Sequence, residues 1–162
     1  MASSNLSKYN LNEIPDAKGM KIAIVVAKWN KEITNGLLDG AKSTLMGCNC
    51  QESNIIVKYV PGSFELALGA QFILEKDTTI DAVICLGSVI QGETKHFDFV
   101  CQSTALGIKD VSLKYNKPVI FGVLTDNTQQ QAIDRSGGIL GNKGVEAAIT
   151  AIEMIHLKQH ID

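Results

Sequence analysis

The chain predicts an α/β protein built on a parallel sheet covered by helices on both faces. Three observations carry that expectation. Short, near-continuous apolar runs occur at Met20 to Ala27, Ile55 to Val60, Ile80 to Leu86 and Pro118 to Leu124, as expected of strands buried on both faces. Between them lie longer segments with apolar residues at helical spacing. The turns leaving the strands hold glycine, proline and serine. Right-handed crossovers leave few topologies for such a pattern. The expected one is a flavodoxin-like, doubly wound three-layer sandwich with four strands in the order 2-1-3-4.

Each element follows from local composition. Residues 1–19 are polar, with Pro15 and Gly19 near the end, and read as a tail that can add a strand to a neighbouring chain. Residues 20–162 form a single α/β domain. The first strand, Met20 to Ala27, leads through Lys28-Trp29-Asn30 into a helix from Glu32 to Met46, with Ile33, Leu37, Leu38, Ala41 and Leu45 on its apolar face. Gly47 closes it. The second strand ends in Pro61-Gly62-Ser63-Phe64-Glu65, a tight turn before a helix through Leu74, and Ser63 is the expected N-cap. The third strand runs into Gly87 to Asp98, a glycine-containing turn, and then a helix from Phe97 to Tyr115. After the fourth strand come a short polar helix, Asn127 to Arg135, a glycine-rich loop, Ser136 to Gly144, and a last helix from Val145 to about Leu157.

Composition narrows the function classes. A length of 162 residues suits one domain, and 45% hydrophobic with 20% charged residues excludes disorder. A net charge of −2 provides no field for nucleic acid. No apolar run approaches the roughly 20 residues that span a bilayer, and the first residues lack a signal-peptide core. Cys48, Cys50, Cys85 and Cys101 have no zinc-site spacing and read as reduced thiols, in keeping with a cytoplasmic protein. Arg135 is the only arginine among 15 basic residues. A guanidinium forks onto phosphates and carboxylates, so a specific role and a surface ion pair are equally open.

Ligands of open parallel sheets sit at the carboxyl ends of the strands. That edge should gather Trp29, Ser63 with Glu65, Ser88 to Thr94 with His96, and Phe121. Trp29 and Phe121 can sandwich a flat ring. Glu65 can accept hydrogen bonds from ring N–H groups or hydroxyls. Amides near Gly92 and the Thr94 hydroxyl can hold an anion, with the His96 imidazole placed for proton transfer. Ordinary packing would explain Trp29 or Phe121 taken singly, and the helix dipole would explain Glu65. His156 and His160 read as solvated. Gly137 to Gly144 is not a P-loop, because no lysine directly follows the second glycine. Neither a dinucleotide fingerprint nor a nucleophile elbow occurs.

Several stretches occur together and in order: Val60 to Glu65, Gly87 to Asp98, Pro118 to Thr125, Gln131 to Arg135 and Gly141 to Gly144. From about Lys21 to Met154 the chain thereby resembles the 6,7-dimethyl-8-ribityllumazine synthase family of riboflavin biosynthesis. The resemblance implies condensation of 5-amino-6-(D-ribitylamino)uracil with 3,4-dihydroxy-2-butanone 4-phosphate, with no metal and no organic cofactor. It implies that Trp29, Ser63, Phe64, Glu65, Ser88, Val89 and Ile90 bind the pyrimidine, with Glu65 on the ribityl chain. Glu93 and Thr94 would cradle phosphate, and His96 would move protons. Phe121, Lys143 and Arg135 would come from a neighbouring copy, Phe121 and Lys143 to the pyrimidine and Arg135 to the phosphate.

The resemblance also implies a homo-oligomer, with a pentamer as its unit. The short segment before the last helix favours an icosahedral capsid of 60 subunits, and riboflavin synthase is a partner such a shell could enclose. Trp29 points the other way, toward pentameric, flavin-binding relatives. A flavodoxin-like module that only holds a flavin, and a shell protein without activity, are the alternatives.

Overall fold

The structure, a computed structural model, describes residues 5, 7–10 and 13–161. Parts of the predicted N-terminal tail, residues 1–4, 6 and 11–12, lie outside the described residues.

The sheet has the strand order β2-β1-β3-β4, formed by β1 (Ile22–Ala27), β2 (Ile55–Val60), β3 (Ala82–Ile90) and β4 (Val119–Asp126), all parallel. Helices α1 (Lys31–Gly47), α2 (Leu66–Lys76) and α3 (His96–Tyr115) connect successive strands. The chain ends in α4 (Gln129–Asp134), a small antiparallel hairpin of β5 (Ser136–Gly138) and β6 (Gly141–Asn142), and α5 (Lys143–Gln159).

Side chains alternate across a strand, and β1 shows where each layer packs. Ile22, Ile24 and Val26 join the core with Ile33, Leu37 and Leu45 of α1 and Ala148, Ile152 and Ile155 of α5. Ala23, Val25 and Ala27 face Leu66, Ala70 and Leu74 of α2 and Ile108 and Val111 of α3. All six β1 residues are buried. A continuous apolar run is what that position demands, because a central parallel strand has no solvent face. Burial also raises the Cys85 thiol far above its ordinary pKa and makes it a small core side chain. The four thiols are free.

Four local readings need correction. Strand β3 extends to Ile90, so Gly87 to Ile90 belong to the sheet and the turn is confined to Gln91 to Lys95. The cause is β4, which runs to Asp126 and pairs Ile90 with Asp126. Phe121 therefore lies mid-strand opposite Cys85 rather than at the ligand edge. Ser63 is not an N-cap: residues Ser63–Glu65 form a 3₁₀ turn, and the Glu65 carboxylate accepts the Gly62 N–H at 2.9 Å. The segment Ser136 to Gly144 is not a plain loop but the β5–β6 hairpin, turned by Gly137 at φ 123° and Gly141 at φ 89°.

The described part of the N-terminal segment packs on its own chain. Ser7 Oγ donates to the Asn142 carbonyl at 3.0 Å and accepts the Asn142 N–H at 2.7 Å.

Candidate functional site

The strand ends create a cleft of about 450 Å³ lined by Trp29, Asn30, Ser63, Phe64, Glu65, Ser88, Val89, Ile90, His96 and Val100. Its parts come from three strand exits, and each exit is fixed by backbone bonds. After β1, Lys28 N–H donates to the Val60 carbonyl at 2.9 Å and Trp29 N–H to the Pro61 carbonyl at 3.2 Å. This ties the Trp29 turn to the Pro61-Gly62 turn. Asn30 then adopts the left-handed region at φ 56°, which asparagine tolerates better than most residues. Its side-chain amide donates to the Ser88 carbonyl at 2.9 Å and so links the first and third exits.

The rim is aromatic and wet. Trp29 is 66% exposed and Phe64 59% exposed. Large apolar faces held open beside polar groups are what a flat heterocycle needs. The floor is polar and buried. Ser63 and Ser88 are buried, and Ser88 Oγ has no hydrogen-bond partner among the described residues. A buried hydroxyl without a partner is costly unless something else satisfies it. The Ser63 carbonyl is anchored by Thr104 Oγ1 of α3 at 3.2 Å.

His96 is the first residue of α3 and is exposed at the cleft mouth. Its N–H donates to Thr94 Oγ1 at 3.4 Å. The Thr94 hydroxyl therefore keeps its own proton to offer an anion beside the helix start. Glu93 lies in the same exposed turn. An imidazole next to open N–H and O–H donors can shuttle protons at a phosphorylated substrate.

The other predicted residues sit elsewhere. Phe121 and Lys143 line a second hollow of about 410 Å³ with Tyr9 and Glu146. A Trp29–Phe121 sandwich within one chain is thus not formed, because Phe121 is held in mid-sheet. Lys143 Nζ pairs with Glu146 at 2.7 Å. The Tyr9 hydroxyl is pushed to a higher pKa, first by burial and then by the nearby Glu146 and Glu153 carboxylates. Arg135 ends α4 and its Nη1 lies 3.4 Å from Asp126 Oδ1. The Asp126 pKa is raised by burial, an effect that Arg135 opposes. His156 is exposed on α5, and His160 is exposed just past its end.

The sequence reading missed Asn30, Val100, Asp126 and Glu146. Asn30 had a signal, an asparagine directly between a strand and a helix. Asp126 and Glu146 had none short of three-dimensional contact. No group of three or more His, Cys, Asp or Glu side chains among the described residues could hold a metal ion. No helix among them is long and apolar enough to cross a membrane.

Comparison with known proteins gives a consistent result. The family model for 6,7-dimethyl-8-ribityllumazine synthase matches residues 19–159. The chain is 55% identical over 154 residues to a 6,7-dimethyl-8-ribityllumazine synthase of Cytophaga hutchinsonii, covering 95% of this chain and 96% of the relative. It is 54% identical over 157 residues to one of Flavobacterium johnsoniae, covering 97% of this chain and 82% of the relative. For one of Parabacteroides distasonis the identity is 53% over 155 residues, with 96% of each chain covered. On its motifs, its fold and these matches, the chain belongs to the 6,7-dimethyl-8-ribityllumazine synthase family.

Proposed function

We propose that the chain catalyses lumazine formation in a crevice that one copy begins and a neighbouring copy completes. Family membership gives the reaction class, a transferase of riboflavin biosynthesis. The substrates are 5-amino-6-(D-ribitylamino)uracil and 3,4-dihydroxy-2-butanone 4-phosphate. The products are 6,7-dimethyl-8-ribityllumazine, orthophosphate and water, in the penultimate step of the pathway. The observation that carries this reading is the division of labour. One cleft gathers Trp29, Phe64, Glu65, Ser88 and His96, while Phe121, Lys143 and Arg135 lie outside it on the same chain.

The pyrimidine enters against Trp29 and Phe64, with Ser63 at the base of the site. The Ser88 to Ile90 edge meets its ring and Glu65 takes the ribityl hydroxyls. The Glu93 backbone and the Thr94 hydroxyl meet the phosphate, clamped from the next copy by Arg135, while that copy's Phe121 and Lys143 close over the ring. The 5-amino group attacks the ketone and expels one water to form a Schiff base, and phosphate leaves by elimination to give an enol. The enol tautomerises to a second carbonyl, and the ribitylamino nitrogen attacks that carbonyl to close the ring with loss of a second water. His96 supplies the proton transfers these steps require. Much of the acceleration comes from holding two reactants together, and no cofactor takes part.

The assembly is a cytosolic ring of five, built further into an icosahedral shell of 60 able to enclose riboflavin synthase. Two features support association. Leu68, Phe72, Leu106 and Leu113 on α2 and α3 are exposed apolar side chains, and such faces mark contact surfaces. The hairpin before α5 has only Ile139 and Leu140 at its tip, leaving little to obstruct ring-to-ring packing.

The experiment is direct. Purified protein mixed with both substrates should yield the fluorescent lumazine and release phosphate in equal amount. A preparation that binds flavin, turns yellow and forms no lumazine would replace this reading with a binding module.

A further inference from the structure

We infer that Asp126 is a positioning residue for Arg135, holding one edge of its guanidinium so that the remaining donors meet a phosphate. The inference rests on the proposed role of Arg135. It concerns a residue that neither the motifs nor the cleft singles out.

Asp126 is the last residue of β4 and is only 6% exposed. It has the strand parity of Leu124, so it faces the α1–α5 side of the sheet. Its backbone is fixed as well, because its carbonyl accepts the Gln91 N–H at 2.9 Å. That bond ties it to the residue opening the Gln91 to Lys95 turn. Its Oδ1 lies 3.4 Å from Arg135 Nη1, and its Oδ2 is buried with no partner among the described residues. A pair at 3.4 Å with one carboxylate oxygen left without a protein partner contributes little as a stability device. Burying a carboxylate and leaving one oxygen unsatisfied costs more than the pair returns. Such expense is typical of groups kept for what they orient.

The arginine is braced from its other side. Helix α4 opens with a reciprocal cap in which Thr128 Oγ1 accepts the Gln131 N–H at 3.2 Å and Gln131 Oε1 accepts the Thr128 N–H at 3.3 Å. The Arg135 N–H donates to the Ala132 carbonyl at 3.3 Å, and its own carbonyl accepts the Lys143 N–H at 2.9 Å. The backbone therefore holds still while the side chain, 22% exposed, reaches toward solvent. A guanidinium has five donors in a rigid fork. Asp126 engages one of them and leaves the others for a dianion.

Asp126→Asn tests this, because it keeps the shape and removes the charge. Wild type, Asp126→Asn, Arg135→Ala and the double variant are compared in the KM of each substrate and in competitive inhibition by inorganic phosphate. Loss of one charge-assisted contact should raise the phosphate-substrate KM and the phosphate inhibition constant about tenfold. The pyrimidine KM should stay within about twofold of wild type, which a general loss of structure would not allow. Added to Arg135→Ala, Asp126→Asn should change nothing more. An unchanged phosphate inhibition constant in Asp126→Asn, or an equal further loss in the double variant, overturns the inference. Should Asp126→Asn not assemble, Asp126→Ser is judged by the same two comparisons. Normal phosphate kinetics in Arg135→Ala would overturn the Arg135 role and this inference together, whereas impaired Arg135→Ala beside normal Asp126→Asn overturns this one alone.

Discussion

The indole of Trp29 lies against Gly62, so close that a Cβ at position 62 would stand 2.6 Å from ring atom Cε3. The contact joins the exit of β1 to the exit of β2 and holds the ring at the cleft rim. Gly62→Ala should push the indole off its seat. Because Trp29 is the only tryptophan, its emission reports the displacement directly. Losing an aromatic stacking surface of about 0.5–1.5 kcal/mol should raise the pyrimidine KM roughly two- to twelvefold. An unchanged spectrum and an unchanged KM would mean that the ring is not a binding surface.

His96→Ala should lower kcat by about a hundredfold with little change in either KM, as expected for loss of a proton-transfer group. The residue is exposed at the start of α3, so the melting temperature should hold. A wild-type rate would remove His96 from the chemistry.

Mixing His96→Ala with Arg135→Ala chains should restore activity that neither has alone. The proposed crevice would take its imidazole from one copy and its guanidinium from the next. In randomly mixed rings about a quarter of the crevices regain both groups, a consequence of head-to-tail symmetry. Co-expression followed by a rate assay checks it. A mixture no faster than the sum of its parts would mean that one copy supplies the whole site.

Acid should reveal the Lys21–Asp77 pair. Asp77 Oδ2 accepts from Lys21 Nζ at 2.7 Å, and Oδ1 accepts from the Thr79 N–H at 2.9 Å. The lysine bond first, and then Thr79, hold the Asp77 pKa well below the usual carboxylate range. A depressed folded-state pKa contributes stability that is present above the unfolded value, about 3.9, and lost as pH falls toward the folded one. Asp77→Asn should therefore unfold more easily than wild type at neutral pH, and the gap should narrow below about pH 3.9. A gap independent of pH in urea titrations would assign the effect to packing.

At the α1–α5 seam, a Cβ on Gly144 would stand 1.9 Å from the Leu37 carbonyl oxygen. Gly144→Ala should cost about 1–3 kcal/mol through overpacking, read as a lower denaturation midpoint. Unaltered stability would mean that the helices can part without penalty.

The sheet order was legible because central parallel strands must be apolar on both faces, and β1 and β3 are. Trp29, Ser63, Glu65, Ser88 and His96 were legible as one edge because strand ends of a parallel sheet share it. Element limits were harder to read. Ile90 looked like part of a turn until its pairing with Asp126 put it in β3. Phe121 looked terminal because its strand, β4, runs further than its apolar stretch, closing on polar Thr125 and Asp126. Asp126 itself could not be singled out, since its significance lies in burial beside Arg135, a contact made after a helix intervenes. The hairpin after α4 was hidden because its few residues carry glycine, whose usual reading is irregular loop.

That hairpin is clamped at its base and free at its tip. Asn142 Nδ2 donates to the Gly36 carbonyl at 2.8 Å, while Ile139 is 80% exposed. Extra residues spliced in beside Ile139 would leave Arg135 and Lys143 where they are, because the chain is stitched together below the splice. Such a molecule can change its outline without moving the residues that flank the hairpin.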